Sequence, residues 1–353
     1  MNSDDIYEKL RKFMDGLPTG FPETESGVEI KILKKLFTPE QASLFMELTF
    51  ELETVETIAN RTGIESSILN LKLEEMAAQG LLFRDHQDNM VRYQNFHFIV
   101  GIYEFQLNTL DKELAEMIEE YLPHFGMALA GAGVKTKQLR VAPVSSALDT
   151  ASPVANYNMI RELIKDQELI SVTNCICRKE QGLLENHCDY PHETCFGFGK
   201  FADYYIDNEM GRKIEISEAM EILDLAEESG LVLSPSNTKE ISFICCCCPC
   251  CCPTLRYSKF APKPAEMFKT YYQADIDAEI CTSCQECFKR CPMEAIQEGQ
   301  ETSEINKDRC IGCGLCVSVC SENSISLQAI QGVEDPPEFL EDVFQQIRQE
   351  RQI

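Results

Sequence analysis

Nineteen of the 353 residues are cysteine, and eight of these fall into two runs of identical spacing near the C-terminus. The first is Cys281, Cys284, Cys287 and Cys291, followed by Pro292; the second is Cys310, Cys313, Cys316 and Cys320, followed by Ser321. The spacing C-x2-C-x2-C-x3-C lets thiolates on successive backbone turns meet one corner after another of a [4Fe–4S] unit. C-x2-C pairs also suit tetrahedral zinc, but a zinc ion needs one quartet of thiols and not two in register. The chemistry this pattern supports is one-electron transfer.

The offset of 29 residues extends beyond the cysteines: Ile276 matches Ile305, and Ile296 matches Ile325. Each half reads as a short strand, a cysteine loop, a turn of helix and a second strand, which is a repeated structural unit. On these residues the segment 272–328 resembles the bacterial-type dicluster ferredoxin domain, 57 of the 353 residues. The resemblance implies that three cysteines of a run hold one cluster while the fourth crosses to the other. Cys281, Cys284, Cys287 and Cys320 would then hold one [4Fe–4S] cluster, and Cys310, Cys313, Cys316 and Cys291 the second. Ser321 departs from the proline of the first half; it removes no ligand but could loosen the turn.

Eleven further cysteines lie upstream. Cys175, Cys177, Cys188 and Cys195 form one group, and Cys245, Cys246, Cys247, Cys248, Cys250, Cys251 and Cys252 the other. Residues two apart in extended chain share a face, so Cys175 and Cys177 can serve one site. Each group follows an apolar run expected as a strand, 169–174 and 241–244. If these strands are neighbours in one sheet, both groups reach one rim, where α/β domains place ligands.

Seven cysteines in eight positions have no packing rationale, and free thiols at that density would oxidise or scramble. Read as ligands, the eleven supply at least one additional iron–sulfur cluster; read blandly, they form a flexible, zinc-scavenging tract. The pairs Cys247-Cys248 and Cys251-Cys252 are similar in chemistry to the CCG-type pairs of heterodisulfide reductases. Pro249 and Pro253 stand in place of the glycine, however, and the family's long spacing is absent. His187 and His192 are candidate ligands or proton donors, or else ordinary loop residues. Arg178 and Lys200 could offset thiolate charge.

Scaffolding must hold these sites. Thr38 and Pro39 predict a helix start, with Ala42, Leu44, Phe45 and Leu48 as its buried stripe. Residues 54–63 read as a second helix stopped by Gly63, and 66–79 as a third with Ile68, Leu71, Leu73 and Met76 on its core side. The runs 81–84 and 90–93, joined by a polar turn at 86–89, predict a hairpin. Three helices and a hairpin resemble a winged helix-turn-helix domain, a fold that implies DNA binding. Residues 1–100 nevertheless carry ten Lys or Arg against seventeen Asp or Glu, a net of −7. On the third helix Lys72 is outnumbered by Glu65, Glu74 and Glu75, whereas a groove reader needs bases. A protein-binding or structural role is the expectation.

Leu107, Leu110, Leu114, Met117, Ile118 and Leu122 predict one or two helices over 99–124. Ala130 to Gly133 lacks the remainder of a nucleotide loop and reads as a turn. A strand at 138–144, helices at 154–165 and 217–228, and an amphipathic tail helix within 336–353 complete the pattern.

The fold class expected is therefore α+β multidomain. A winged-helix-like domain spans 1–100, a Cys-rich α/β domain 101–270, a dicluster ferredoxin domain 271–330 and a helical tail 331–353. This layout resembles multidomain iron–sulfur proteins of anaerobic bacteria and archaea. The formal charge of −26 works against nucleic acid and anionic membranes as partners and favours docking to a basic patch on a redox partner protein. The acidic N-terminal residues, the lack of an 18-residue apolar run and the many thiols point to a cytoplasmic, reducing setting.

Three functions are open. The first is an electron carrier linking the C-terminal clusters to a middle centre. The second is a reductase acting at that centre, and the third a redox-responsive DNA-binding regulator. Flavin, nicotinamide and nucleoside-phosphate motifs are missing, so electrons would come from outside, which favours the carrier.

Overall fold

The computed structural model describes residues 3–87, 90–148 and 156–353. It opens with two helices that the sequence patterns did not announce, α1 (Ser3–Asp15) and α2 (Val28–Leu36). Then come α3 (Pro39–Glu47), β1 (Glu53–Thr54), α4 (Val55–Thr62), α5 (Ser66–Ala78), β2 (Phe83–Gln87) and β3 (Met90–Gln94). Local chemistry fixes the ends of these helices. Thr38 closes a capping box with Gln41 and Pro39 takes the first turn of α3, while Gly63 ends α4 in the left-handed region at φ 72°.

The three strands form one antiparallel sheet in the order β1-β3-β2. The expected hairpin is present, although part of its turn lies outside the described residues. On α5 the buried residues are Leu69, Leu73, Met76 and Ala77. Ile68 and Leu71 are exposed, contrary to expectation. A face spaced 69, 73, 76 leaves Ile68 about a third of a turn off the core and Leu71 about half a turn, on the opposite side.

A π-turn at Phe98–Ile102 leads to α6 (Lys112–Gly131), capped by Asp111. The middle region follows, with α7 (Ile160–Lys165), β4 (Ile170–Asn174), α8 (Ile176–Leu183), β5 (Glu193–Phe198) and α9 (Lys200–Asp207). After these come β6 (Gly211–Ile214), α10 (Ile216–Ser229), β7 (Val232–Pro235), β8 (Phe243–Cys247) and α11 (Pro253–Ser258). The expected strand at 138–144 is reduced to isolated bridges, because Leu139 and Ala142 pair with β7 and its flank but Arg140 pairs with Lys269. Residues 154 and 155 of the expected helix lie outside the described residues. The sheet order is β6-β4-β5-β8-β7. Every pairing is antiparallel, so the crevice rule of parallel α/β sheets does not apply here.

The C-terminal region contains β9 (Tyr272–Ile276), α12 (Glu286–Arg290), β10 (Ile296–Glu298), β11 (Ser303–Ile305), β12 (Ile325–Ala329) and α13 (Leu340–Arg351). The tail helix α13 lies back on the first hundred residues. Leu340, Val343, Phe344 and Ile347 are buried, and Phe344 meets the rings of Phe50, Phe96 and His97. Glu350 accepts from the amides of Lys135 and Thr136, and Arg351 donates to the carbonyls of Asp15, Leu17 and Pro18. One buried cluster therefore joins α1 through α6, part of the middle region and the tail. Among the described residues no helix is long and apolar enough to cross a membrane.

His97 sits at the centre of this aromatic contact, fully buried, and desolvation holds its pKa down to about 3. The unfolded chain takes up this proton near the ordinary value of 6.5, and the folded chain does not. Stability is thus present above pH 6.5 and lost as pH falls below it, by about 1.4 kcal/mol per pH unit. Denaturant titrations at about pH 7.5 and about pH 5.5 should show a loss of roughly 1.4 kcal/mol attributable to this residue. His97→Phe should remove that part of the loss; an unchanged pH dependence would contradict a buried neutral imidazole.

Candidate iron–sulfur sites

Strands of opposite halves pair in the C-terminal region. β9 of the first half pairs with β12 of the second, Ile276 opposite Ile325. β10 pairs with β11, Ile296 opposite Ile305. These are the four isoleucines that carry the repeat. This exchange brings the last cysteine of each run to the loop of the other. Cys281, Cys284, Cys287 and Cys320 line one cavity. Cys291, Cys310, Cys313 and Cys316 line another.

The two loops share their backbone as well as their spacing. Ser283, Gln285 and Glu294 have φ of 55°, 64° and 54°; 29 residues later Gly312, Gly314 and Asn323 have 71°, 75° and 52°. Ala295 N–H donates to Cys291 Sγ at 3.2 Å and Ser324 N–H donates to Cys320 Sγ at 3.2 Å, again 29 apart. Such donors favour anionic sulfur. Burial alone would raise Cys320, but the Ser324 hydroxyl and neighbouring amides bring it below the usual thiol value. Ser321 does not loosen its turn: Asn323 N–H reaches Cys320 O at 3.1 Å, as Glu294 N–H reaches Cys291 O at 3.3 Å.

The sets differ in exposure. Cys284 is exposed and Cys281 half-buried, whereas Cys310, Cys313 and Cys316 are buried. Burial pushes the Cys313 and Cys316 thiols up, so metal loading there must expel protons. The thiol-lined cavities and the N–H donors aimed at sulfur fit iron–sulfur clusters.

In the middle region β4 and β8 are not neighbours, because β5 lies between them. Both pair antiparallel with β5, so they run the same way and deliver their cysteines to one rim. Cys195 on β5 sits opposite Thr173 and opposite Cys245. The eleven thiols divide in two. Cys188, Cys248, Cys250 and Cys251 have sulfurs all within 4.8 Å of one another, with Cys188 to Cys250 at 3.6 Å and Cys250 to Cys251 at 3.7 Å. These separations approach the ~3.8 Å edge of a sulfur tetrahedron with ~2.3 Å metal bonds. Hydrogen bonding from Cys251 pulls Cys248 down to about 5.

The second group is Cys175, Cys177, Cys195, Cys245, Cys247 and Cys252, in which Cys195 is in register with Cys245 and each thiol perturbs the titration of the next. Cys246 points the other way along β8 and is core.

Arg178 is fully buried between the two groups. It donates to Thr194 Oγ1 at 2.7 Å and to the Cys246 carbonyl at 2.8 Å. Burial would lower its pKa, but Cys175, Cys248 and Cys195 raise it. Lys200 instead pairs with Glu341 of the tail, 2.5 Å away. His187 is exposed and meets Asp189 at 2.7 Å, and His192 supplies a backbone carbonyl to Cys175 N–H at 2.8 Å; neither ring joins the thiol groups.

Sequence reasoning missed the acids. Tyr103 donates to Glu180, and desolvation raises Glu180 to about 7 and Glu104 to about 8. Cys175 and Cys177 contribute to the fields felt by Glu104 and Tyr103. Nothing in the local sequence marks these residues, since only the packing of the π-turn against α8 brings them to the thiols.

This is an iron–sulfur protein whose C-terminal domain is built to hold two clusters. Residues 273–321 match the 4Fe-4S dicluster domain family. A ferredoxin of Alicyclobacillus acidocaldarius is 39% identical over 56 residues, 16% of this chain and 70% of that protein. Through this domain the chain belongs to the dicluster ferredoxin family, and it carries two [4Fe–4S] clusters.

Pyruvate synthase subunit PorD of Thermotoga maritima is 43% identical over 51 residues, 14% of this chain. A component of an ion-translocating oxidoreductase complex of Methanosarcina acetivorans is 38% identical over 48 residues, also 14%. The chain spans 52% of the former and 18% of the latter. No solved structure matches the chain significantly.

A side chain on Gly312 would place its Cβ 2.1 Å from Tyr272 O, in addition to the left-handed strain. Gly312→Ala should therefore destabilise the domain by about 2–4 kcal/mol and lower its iron content. Ser283→Ala, at the equivalent turn of the other half, should leave both close to wild type. Equal effects in calorimetry and iron assay would refute the packing asymmetry.

Proposed function

We propose that the chain is an electron-transfer protein in which the C-terminal clusters connect a partner protein to a metal centre in the middle region. The observation that carries this reading is the pair of cavities lined by the crossed cysteine sets. In it, Cys281, Cys284, Cys287 and Cys320 hold one cluster, and Cys291, Cys310, Cys313 and Cys316 the other. The clusters supply one-electron chemistry; the protein supplies a port and a path.

The half-exposed set, with Cys284 at the surface, is the port. The buried set faces inward, because Cys313 packs in one apolar cluster with Cys247, Cys252 and Leu255 of the middle region. The middle centre includes Cys188, Cys248, Cys250 and Cys251, a quartet that suits one tetrahedral metal site.

The helix, strand and hairpin arrangement of residues 38–94 supports a winged-helix-like reading of the N-terminal region. Its charge and the ion pair between Lys72 and Glu40 favour a structural or protein-docking role over DNA. Being acidic overall, the chain should meet a basic surface on its partner. The relatives named as parts of oxidoreductase complexes support a multisubunit partner of that class.

Anaerobically purified chain should contain more than about eight irons or bound zinc besides, since the C-terminal domain accounts for about eight. Reduction by a basic protein carrier should slow by about tenfold or more from low to high salt. Cys284→Ser should abolish reduction by the carrier while a small reductant still reduces the buried centre. Carrier reduction that is indifferent to both salt and Cys284→Ser would refute the port.

A further inference from the structure

Six thiols remain once the ferredoxin sets, the tight quartet and the core Cys246 are assigned. We infer that Cys175, Cys177, Cys195, Cys245, Cys247 and Cys252 form a second, separate site in the middle region, which holds a polynuclear iron–sulfur cluster. This deepens the electron-transfer reading, on which it rests only for the source of electrons.

Geometry brings the six together from three strand ends. Cys245 and Cys247 are two apart on β8 and share one face of the sheet. Cys195 is in register with Cys245 on the adjoining strand. Cys175 and Cys177 leave β4 at the same rim, and Cys252 caps α11 from the other side. The sulfurs run in sequence from Cys177 through Cys175, Cys195, Cys245 and Cys247 to Cys252. Cys252 also acts electrostatically on Cys177, so the two ends of the sequence feel each other's charge.

One tetrahedral ion uses four sulfurs, so six thiols linked neighbour to neighbour at one rim exceed one ion's needs and suit two or more metal ions. Zinc would be redox-inert at a place that abuts the buried ferredoxin cavity, whereas iron–sulfur chemistry uses that position. Cys247 and Cys252 pack with Met293 and Cys313 of the second cluster loop.

The cation between the two thiol groups supplies a separate argument. Arg178 is fully buried and its Nε has no hydrogen-bond partner among the described residues. A buried guanidinium needs anionic charge nearby. Two metal-thiolate centres, one on each side, provide it, whereas a set of neutral thiols would not.

The test is ⁵⁷Fe Mössbauer spectroscopy with metal analysis on full-length chain reconstituted anaerobically with iron and sulfide. Cys195→Ser with Cys247→Ser should lose at least about two irons per chain and one group of spectral lines, while the reduced ferredoxin signals persist. Cys188→Ser with Cys251→Ser should leave that group of lines in place. Persistence of the ferredoxin signals and of the far-UV dichroism reports that the variant has folded. If the double variant does not fold, Cys177→Ser at the end of the sulfur chain makes the same comparison.

Iron content unchanged in the Cys195→Ser with Cys247→Ser variant overturns the inference, as does zinc in place of iron at the six thiols. Neither result touches the reading of the C-terminal clusters. Loss of carrier reduction in wild-type chain would overturn that reading while leaving the six-thiol site standing.

Discussion

Antiparallel pairing between strands from different segments is the constraint that brings the thiol groups of this protein together. In the C-terminal region, β9 on β12 and β10 on β11 tie the two halves in an exchanged order. A ligand loop alone could not complete its own quartet, because the fourth cysteine lies beyond the helix turn and is carried toward the other half. In the middle region, β5 between β4 and β8 serves the same end. It makes its neighbours parallel to each other, so two cysteine groups separated by some seventy residues emerge at one rim. Sheet register, set by period-two side-chain alternation, decides which thiols face the site and which, like Cys246, face the core.

Much of this was legible in the sequence where the signal is local. The cysteine spacing and the isoleucine repeat name the dicluster domain, and the strand pairing then explains why the fourth cysteine of each run crosses over. Caps such as Thr38 and Gly63 placed helix ends to within a residue or two. The reading failed where a residue's environment comes from distant chain. Ile68 and Leu71 fit a helical stripe but lie off the buried face, which the contacts of Leu69, Leu73 and Met76 define. Lys200 lies near the thiols in sequence yet is claimed by Glu341 of the tail. The strand at 138–144 dissolved because its hydrogen bonds divide between β7 and Lys269. The acids Glu104 and Glu180 gave no sequence signal, since their importance arises only from burial beside sulfur.

The tail shows how a terminal segment can close a structure assembled from non-local parts. Phe344 inserts among Phe50, Phe96 and His97, and burial of such a ring contributes about 1.5–3 kcal/mol. Glu341 ties α13 to α9, which itself follows β5. The helix thereby couples the N-terminal core to the strand that carries Cys195.

Charge sets the remaining requirement. The chain is strongly acidic before any cluster is added, and each thiolate centre makes it more so. At the surface water and salt screen this excess, but in the middle region two sulfur groups lie side by side and largely shielded, with Cys250 alone among them exposed. Arg178 is the cation between them, with one donor on Thr194, one on the Cys246 carbonyl and a field shared by Cys175, Cys195 and Cys248. A lysine could not make that fork of contacts, because its ammonium is a single point of charge that sheds water reluctantly. The guanidinium therefore does two jobs at once: it ties together the strand ends that bear the thiols, and it offsets the charge of both groups wherever they are deprotonated. Position and charge are met by one side chain, which is why the two thiol groups can be packed so closely without being merged.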